Sequence, residues 1–240
     1  MNFGAIRRRL MPNSSRVHLE KFNLDFARGV PDGALVLDAG AGSRQYRDLF
    51  YHARYESADF GGLIGNPQDN ITYVCDLAAI PVESGRFDFI LFNQTLEHIP
   101  DPLSVLRELH RVLKIGGRIL CSAPLFYEEH MQPYDFFRYT QFGFRHLFVK
   151  AGFTVERVDW MEGYFGTVAY QLETAAKYLP DKPRDLIRGW KGYLLSPVLW
   201  SLKIVFVLIA ALFYRLDRRA PYKDSGYPKN YVVLAVKNAI

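Results

Sequence analysis

The chain has 240 residues, 49% of them hydrophobic, which is enough for one large domain or for a domain with an insertion. Its net charge of +5 and pI of about 9.1 suit an anionic partner, either a membrane surface or a nucleic acid. Cys75 and Cys121 lie in separate apolar runs without metal-ligand spacing, so we expect reduced core cysteines and no metal site. No apolar segment follows Arg7-Arg8-Arg9, which argues against a secretory signal.

The most informative segment is Val36-Leu37-Asp38-Ala39-Gly40-Ala41-Gly42, where an apolar run ends in an acid and two glycines follow at alternate positions. This pattern predicts a buried strand that enters a tight turn. Glycine has no Cβ and accepts positive φ, so the backbone at Gly40 and Gly42 can approach a ligand closely. Helices are predicted on either side, one starting at Asn13-Ser14-Ser15 and one from Ser43 to Tyr51.

Three further strand-like runs each lead to a polar side chain: Tyr55–Asp59 to Asp59, Ile71–Cys75 to Asp76, and Phe87–Phe92 to Asn93. Between the second and third runs, the segment Gly61–Pro67 is rich in glycine and proline and predicts a loop.

The remaining segments continue the alternation of helices and strands. Asp101 can cap a helix that has Pro102 at its first position. The later predicted elements are a strand at Arg118–Ser122, a helix at Thr140–Ala151, a strand at Phe153–Trp160 and a last strand at Tyr231–Lys237. Such alternation with short links predicts a mostly parallel sheet with helices on both faces. Ligands of such folds bind beyond the carboxyl ends of the strands, where the polar side chains fall.

This series resembles the class I S-adenosylmethionine (SAM)-dependent methyltransferases, especially the branch with many small-molecule methyltransferases, from about Leu35 to Phe153. The resemblance implies an α/β, Rossmann-like fold with a seven-stranded, mostly parallel sheet, and SAM as the cofactor. It places the methionine part of SAM at the glycine loop, the ribose at the acid after the second strand, and the adenine at the acid after the third. The cofactor residues carried over are Asp38, Gly40, Gly42, Asp59, Asp76, Leu77 and Asn93.

A dinucleotide-binding dehydrogenase is the nearest rival interpretation. Its fingerprint G-x-G-x-x-G needs a third glycine where this chain has Gln45. The missing glycine, together with an acid two residues before the first glycine, favours SAM.

Two segments supply candidate groups for the acceptor. His98 follows the fourth strand, and a hydroxyl acceptor benefits from a general base, so His98 and His130 are the candidate bases and Tyr134 would orient the acceptor. The connector after the fifth strand adds three candidate substrate-binding residues: Asp135, Arg138 and Tyr139. The alternative interpretation is structural, with His98 holding its loop and Asp135 paired with Arg138.

About 70 residues separate the last two strands, where the family has a hairpin. We therefore divide the chain into a methyltransferase core at 1–160, a helical insertion at 161–229 and a closing strand at 230–240. Within the insertion, Pro197–Tyr214 is apolar except for Ser201 and Lys203. Eighteen helical residues span roughly 27 Å, and a hydrocarbon core is about 30 Å thick. A single crossing would also put Tyr231–Lys237 on the far side. We favour an element in the membrane interface over a buried or oligomer helix.

These patterns predict a cytoplasmic SAM-dependent methyltransferase, peripheral on the inner face of a membrane, that methylates a hydroxyl of a small molecule, lipid or lipid-linked glycan. An RNA or protein methyltransferase is the enzyme alternative, and a non-catalytic SAM-fold scaffold is the non-enzyme alternative. The chain has no basic stripe with interleaved aromatics, which disfavours nucleic acid as a partner. The sequence does not decide between a monomer and a homo-oligomer.

Overall fold

The computed structural model describes residues 14–60, 70–180 and 190–239, and these form two compact units. The larger unit is built from His18–Met161 and the strand at the C-terminal end. The smaller unit is the insertion Glu162–Lys229, together with the first residues of the first helix. The predicted loop Gly61–Pro67, Asn13 and Arg7–Arg9 lie outside the described residues.

The elements of the larger unit, in chain order, are α1 (Ser14–Arg28), β1 (Leu35–Ala39), a 3-10 turn (Arg47–Phe50), β2 (Arg54–Asp59), β3 (Tyr73–Val74), β4 (Phe87–Asn93), a second 3-10 turn (Leu96–His98), α2 (Pro102–Val112), β5 (Leu113–Pro124), α3 (Gln141–Lys150), β6 (Thr154–Trp160) and β7 (Asn230–Val236). Helices α4 (Tyr164–Tyr178) and α5 (Trp190–Arg219) form the insertion between β6 and β7.

The seven strands form one sheet in the order β3-β2-β1-β4-β5-β7-β6. Strands β1 to β5 pair in parallel, and β7 pairs antiparallel with both β5 and β6. The predicted fold class is confirmed, including the helical insertion before the last strand. The predicted closing strand is also confirmed, because Tyr231 pairs with Ala123 of β5 and Trp160 of β6.

Successive residues of the central strands point to opposite faces of the sheet and feed two separate apolar clusters. On one face Leu37 and Ile90 pack with residues of α2 and α3, such as Leu106 and Phe144. On the other face the cluster of Val36 and Leu91 includes Leu19 and Ala27 of α1. Because both faces are covered here, β1 and the second half of β4 are apolar without alternation, as is typical of buried parallel sheets.

The structure corrects two local predictions. The helix predicted at Ser43–Tyr51 is only the 3-10 turn Arg47–Phe50, because Arg44 adopts a left-handed backbone with φ of 56°. Strand β5 begins at Leu113 and not at Arg118, so the segment Lys114–Gly117 extends the sheet. The Gly116 amide there donates a 2.7 Å hydrogen bond to the Lys237 carbonyl.

Helix α5 is longer than the apolar segment that predicted it. It has 30 residues, or about 45 Å at 1.5 Å per residue, so the whole helix exceeds the thickness of a hydrocarbon core although its 18-residue apolar segment alone falls just short of it. It packs along α4 through an apolar cluster centred on Val207, Ala210 and Tyr214, and the Tyr214 hydroxyl donates to Glu173 at 3.0 Å. Among the described helices, α5 alone has the length and hydropathy of a membrane span.

Candidate functional site

The turn after β1 combines two glycines in left-handed conformations, with φ of 70° at Gly40 and 49° at Gly42. A Cβ at Gly40 would collide with the side chain of Thr95, whose own Cβ would lie 2.8 Å away. A Cβ at Gly42 would meet no atom of the described residues within 4 Å. The turn therefore rests on the chain at Gly40 and faces open space at Gly42.

Asp38 lies beneath this turn and is only 4% exposed. Its carboxylate accepts a hydrogen bond from the Tyr55 hydroxyl, and burial raises the pKa of Asp38 to about 7. Asp38 does not line the cavity described below, and its carboxylate is bonded to Tyr55 of the neighbouring strand.

The carboxyl ends of β2 and β3 complete this side of the site. The Gly42 amide donates to Asp59 Oδ2 at 2.8 Å, which ties the glycine turn to the end of β2. Asp76 Oδ1 accepts from the Ala78 amide at 2.8 Å and fixes the turn that carries the buried Leu77. Three strand ends that are distant in sequence thus meet at one edge of the sheet.

A cavity of about 360 Å³ opens at this edge. One wall, which we call the strand-end wall, consists of Gly40, Gly42, Asp59, Phe60, Asp76 and Leu77. The opposite wall, which we call the connector wall, consists of His98, Met131, Tyr134 and Phe136. Gln94, Thr95, Ile99 and Pro100 line the cavity between them.

Asn93, like Asp38, is a predicted cofactor residue that does not line the cavity. Its side-chain amide donates to Asn23 Oδ1 at 2.9 Å, and its oxygen accepts from the Ser122 hydroxyl at 2.8 Å. The next two residues, Gln94 and Thr95, line the cavity in its place. Gln94 does so with a positive φ of 49°, which turns the chain at the end of β4.

The connector between β5 and α3, residues 125–140, is held by an ion pair. Arg138 donates to both oxygens of Asp135, at 2.6 and 2.7 Å, and Asp135 is almost fully buried. This guanidinium lowers the pKa of Asp135 well below its ordinary value. Arg138 also donates to the carbonyls of Tyr127 and Glu128, both at 3.2 Å.

The three predicted substrate-binding residues therefore bond to the chain itself. Asp135 and Arg138 pair with each other, as in the structural alternative, and the Tyr139 hydroxyl donates to the Leu96 carbonyl at 3.0 Å from a buried position. None of these three residues lines the cavity. They shape the connector that presents Met131, Tyr134 and Phe136.

The candidate bases His98 and His130 lie together, with ring centroids 4.7 Å apart. His98 Nδ1 is 2.6 Å from the Tyr134 carbonyl, and a neutral ring that donates there leaves Nε2 as an acceptor. Burial lowers the pKa of His98, which favours that neutral ring. His130 stands behind His98, where its ring also contacts Tyr127, and it does not line the cavity.

Glu97, the neighbour of His98, is a functional candidate that the sequence reasoning missed. Its side chain is fully buried, and within the described residues neither carboxylate oxygen has a hydrogen-bond partner. His98 Nε2 lies 3.9 Å from its Oε1. Burial raises the pKa of Glu97 to about 8. The available signal was an acid directly before His98, with the apolar residues Leu96 and Ile99 on either side of the pair.

Comparison with known proteins bears on this site directly. Residues 37–121, which include the strand-end wall and His98, match a family model described as a methyltransferase domain. A demethylmenaquinone methyltransferase of Staphylococcus epidermidis is 28% identical over 147 residues, which cover 58% of this chain and 58% of that protein. The chain thus aligns with little more than half the length of this curated relative.

Solved structures extend the likeness to nearly the whole chain. A chain from the complex between the Haloferax volcanii Trm112 methyltransferase activator and a methyltransferase is similar in structure. The TM-score is 0.56 and the identity 19%, over 92% of this chain and 90% of that one. A phosphoethanolamine N-methyltransferase 2 of Haemonchus contortus, solved with S-adenosyl-L-methionine, has a TM-score of 0.53 and 19% identity, over 91% and 53% of the two chains. At such identities the likeness concerns the fold.

Proposed function

We propose that this chain, which carries a methyltransferase domain in the class I SAM-dependent methyltransferase fold, transfers the methyl group of SAM to a small-molecule acceptor. The observation that carries the proposal is the one cavity shared by the strand-end wall and the connector wall. A cofactor on the first wall and an acceptor on the second would meet inside it. Methyl transfer needs mainly this proximity and alignment.

The strand-end wall fits SAM chemically. The open space above Gly42 admits a ligand close to the backbone, and the Asp59 carboxylate can accept hydrogen bonds from ribose hydroxyls. Leu77 offers an apolar surface to the adenine beside Asp76. When bound, SAM supplies a methyl group on a sulfonium, which is already an activated leaving group.

Calorimetric titration with SAM and S-adenosylhomocysteine tests this assignment. Removing the Asp59 carboxylate removes hydrogen bonds worth roughly 1.5–3 kcal/mol each, so Asp59→Ala should weaken binding by on the order of 2–4 kcal/mol. Asp32→Ala, at the exposed turn before β1 and thus at the opposite edge of the sheet from the strand ends, is the matched control. Unchanged SAM affinity in Asp59→Ala would disprove the ribose site. A parent protein that binds no SAM would leave only a scaffold role.

For the acceptor we propose an apolar molecule that carries a hydroxyl. The connector wall is largely apolar and aromatic, and its polar side chains are His98 and the Tyr134 hydroxyl. His98 Nε2 is the candidate proton acceptor because Tyr134 holds the other ring nitrogen. His130 would act through His98, since it reaches the cavity only behind that ring.

Helix α5 bears on the location of such an acceptor, because large hydrophobic side chains of this helix are exposed. Exposed large hydrophobic residues recur at helical spacing along one stripe: Trp190, Leu194, Val198, Val205, Leu208, Leu212 and Leu216. Lys203 and Asp217 are instead buried on the face that packs on α4. This arrangement is the reverse of an amphipathic helix on a water-soluble surface.

We propose that this stripe, named here the α5 stripe, lies in a membrane interface on the cytoplasmic side. Exposed basic residues at both ends of the helix, Lys191, Arg215, Arg218 and Arg219, suit anionic head groups. A single crossing by α5 would separate β7 from the strands that it pairs with, and no second described helix has the length and hydropathy to return the chain. A chain at the interface also has access to amphiphilic acceptors.

Co-sedimentation with anionic liposomes tests the attachment. The parent should pellet with the vesicles, and a Leu208→Asp, Leu212→Asp variant should remain in the supernatant, because charges are costly in the apolar boundary. Phe142→Asp, at an exposed position of α3, is the control. Added salt should weaken binding, as expected for basic residues near charged lipid. A parent that stays in solution as a stable dimer would make the stripe an oligomer interface and contradict the proposal.

A further inference from the structure

We propose that Glu97, His98 and His130 form a binding site for one divalent transition-metal ion of the zinc class beside the cavity. The three residues each offer a ligand atom, and these atoms all lie within 4.8 Å of one another. Two residues come from the 3-10 turn after β4 and the third from the connector, 32 positions along the chain. This separation explains why sequence spacing predicts no metal site.

The buried carboxylate of Glu97 is the first independent support. It is fully enclosed, and within the described part of the chain no residue donates a hydrogen bond to either of its oxygens. A carboxylate in such surroundings is strongly disfavoured unless it is paired or coordinates a metal. A cation between Glu97 and the two imidazoles would satisfy it.

The orientation of both imidazoles is the second support. His98 Nδ1 is held by the Tyr134 carbonyl at 2.6 Å, and His130 Nδ1 lies 3.2 Å from the Glu128 carbonyl and 3.3 Å from Asp135 Oδ2. Each ring can thus donate from Nδ1 and keep the lone pair of Nε2 for an ion. Metal-binding histidines characteristically have their second nitrogen held by a carbonyl or carboxylate in this way.

The same contacts assign a role in metal binding to the polar network of Asp135 and Arg138 in the connector. Asp135 accepts hydrogen bonds from Arg138 and also from the His130 amide at 2.8 Å, so it fixes both the backbone and the ring of His130. Asp135 and Arg138 are therefore positioning residues for the third ligand.

The ligand set indicates the class of metal. Two imidazole nitrogens and one carboxylate oxygen suit zinc and neighbouring transition metals, whereas magnesium and calcium prefer oxygen ligands alone. Three protein ligands also leave a coordination position for a further group, as in catalytic zinc sites. His98 lines the cavity, so an oxygen atom of an acceptor is the candidate for that position. This last step rests on the proposed methyltransferase function, whereas metal binding does not.

The ion and the base compete for one atom. If Nε2 of His98 binds the metal, the same lone pair cannot accept a proton from the acceptor. In the metal-bound protein the ion would lower the pKa of a coordinated acceptor hydroxyl so that its proton leaves to water, whereas in the metal-free protein His98 Nε2 would take that proton.

Metal titration of the chelator-treated, full-length chain tests the site. The parent should bind one equivalent of Zn²⁺ by calorimetry, and Co²⁺ should give the intense visible absorption of a four-coordinate site. His130→Ala and Glu97→Gln should each weaken binding at least tenfold, and His146→Ala, an exposed histidine of α3, should not. Asp135→Asn should weaken it about 10- to 100-fold, the usual effect of losing a group that orients a ligand.

Parallel SAM titrations keep this inference separate from the proposed function. His130→Ala, at a partly exposed position, guards against the case in which Glu97→Gln fails to fold, and circular dichroism checks both variants. A parent that binds SAM without stoichiometric Zn²⁺ overturns the metal site alone. Zn²⁺ binding that survives both His130→Ala and Glu97→Gln would place the ion elsewhere and overturn it as well.

Discussion

The strand-end wall and the connector wall of the cavity face each other but are built in different ways. The first is backbone at the ends of parallel strands, and the sheet ladder fixes where Gly40, Gly42 and Asp59 lie. The second depends on side-chain bonds, above all the Asp135–Arg138 ion pair that shapes the connector. Damage to the first wall should therefore affect the cofactor, and damage to the second should affect only the acceptor.

The largest expected effect comes from filling the strand-end wall. Gly40→Ala forces a non-glycine residue into a left-handed conformation and drives its Cβ into Thr95. The two costs are about 1–2 kcal/mol for the backbone and 1–3 kcal/mol for overpacking. We expect a loss of roughly 2–5 kcal/mol in the free energy of unfolding, measured in urea, and loss of SAM binding by calorimetry.

Gly33→Ala is the matched control for this change. Gly33 has a similar φ of 74°, but within the described residues nothing lies within 4 Å of its added Cβ. Gly33→Ala should therefore lower the free energy of unfolding only by the backbone contribution of about 1–2 kcal/mol, and SAM affinity should be unchanged. Equal effects of the two substitutions would show that the contact with Thr95 is unimportant.

The next effect comes from the connector wall. Arg138→Met leaves the carboxylate of Asp135 buried without its cation, and because Arg138 is partly exposed we expect a cost of about 2–3 kcal/mol, below the usual figure for fully buried pairs. Turnover should fall while SAM affinity stays within about twofold of the parent. Steady-state kinetics and calorimetry on the same preparation measure the two quantities.

Arg118→Met removes an exposed ion pair with Glu156 and provides the control, with an expected cost of at most about 1 kcal/mol. If Arg138→Met lost SAM affinity in proportion to turnover, the two walls would not be independent.

The last effect concerns the pH dependence of Asp38 and amounts to about 2–3 kcal/mol between pH 5 and 7, at roughly 1.4 kcal/mol per pH unit. Burial raises the pKa of Asp38 from 3.8 to about 7, so the folded chain holds this proton more tightly than the unfolded chain. The resulting stability is complete below about pH 4 and is lost as the pH rises through 7. Asp38→Asn cannot ionise and keeps an acceptor for Tyr55, so it should gain stability relative to the parent between pH 5 and 8.

Urea unfolding of the parent and of Asp38→Asn at both pH values measures this gain. Asp32→Asn, at an exposed turn, should follow the parent. Asp59 is the charged neighbour that adds to the raised pKa of Asp38, and it is present in all three proteins. Parallel stability curves for Asp38→Asn and the parent would mean that Asp38 does not titrate in this range.

The same contrast explains what could be predicted from the sequence. The glycine turn, Asp59 and Leu77 are local consequences of strands that end, so a one-dimensional pattern places them together. The prediction of a helix directly after the glycine turn was wrong because Arg44 adopts a left-handed conformation, and regular structure begins only at Arg47. Glu97 and His130 meet only because the connector folds back over the turn after β4. Their separation in the sequence does not predict that contact.

The junction between β6 and β7 has a consequence for how this chain can change. Trp160 pairs with Tyr231, and the Met161 amide donates to the Asn230 carbonyl at 3.0 Å, so the insertion leaves and re-enters the sheet at adjacent positions. A short hairpin turn could therefore replace residues 162–229 without altering the register of any strand. In evolution or in protein engineering, the helices of the insertion could therefore be added, lengthened or removed while the sheet keeps its strand pairing.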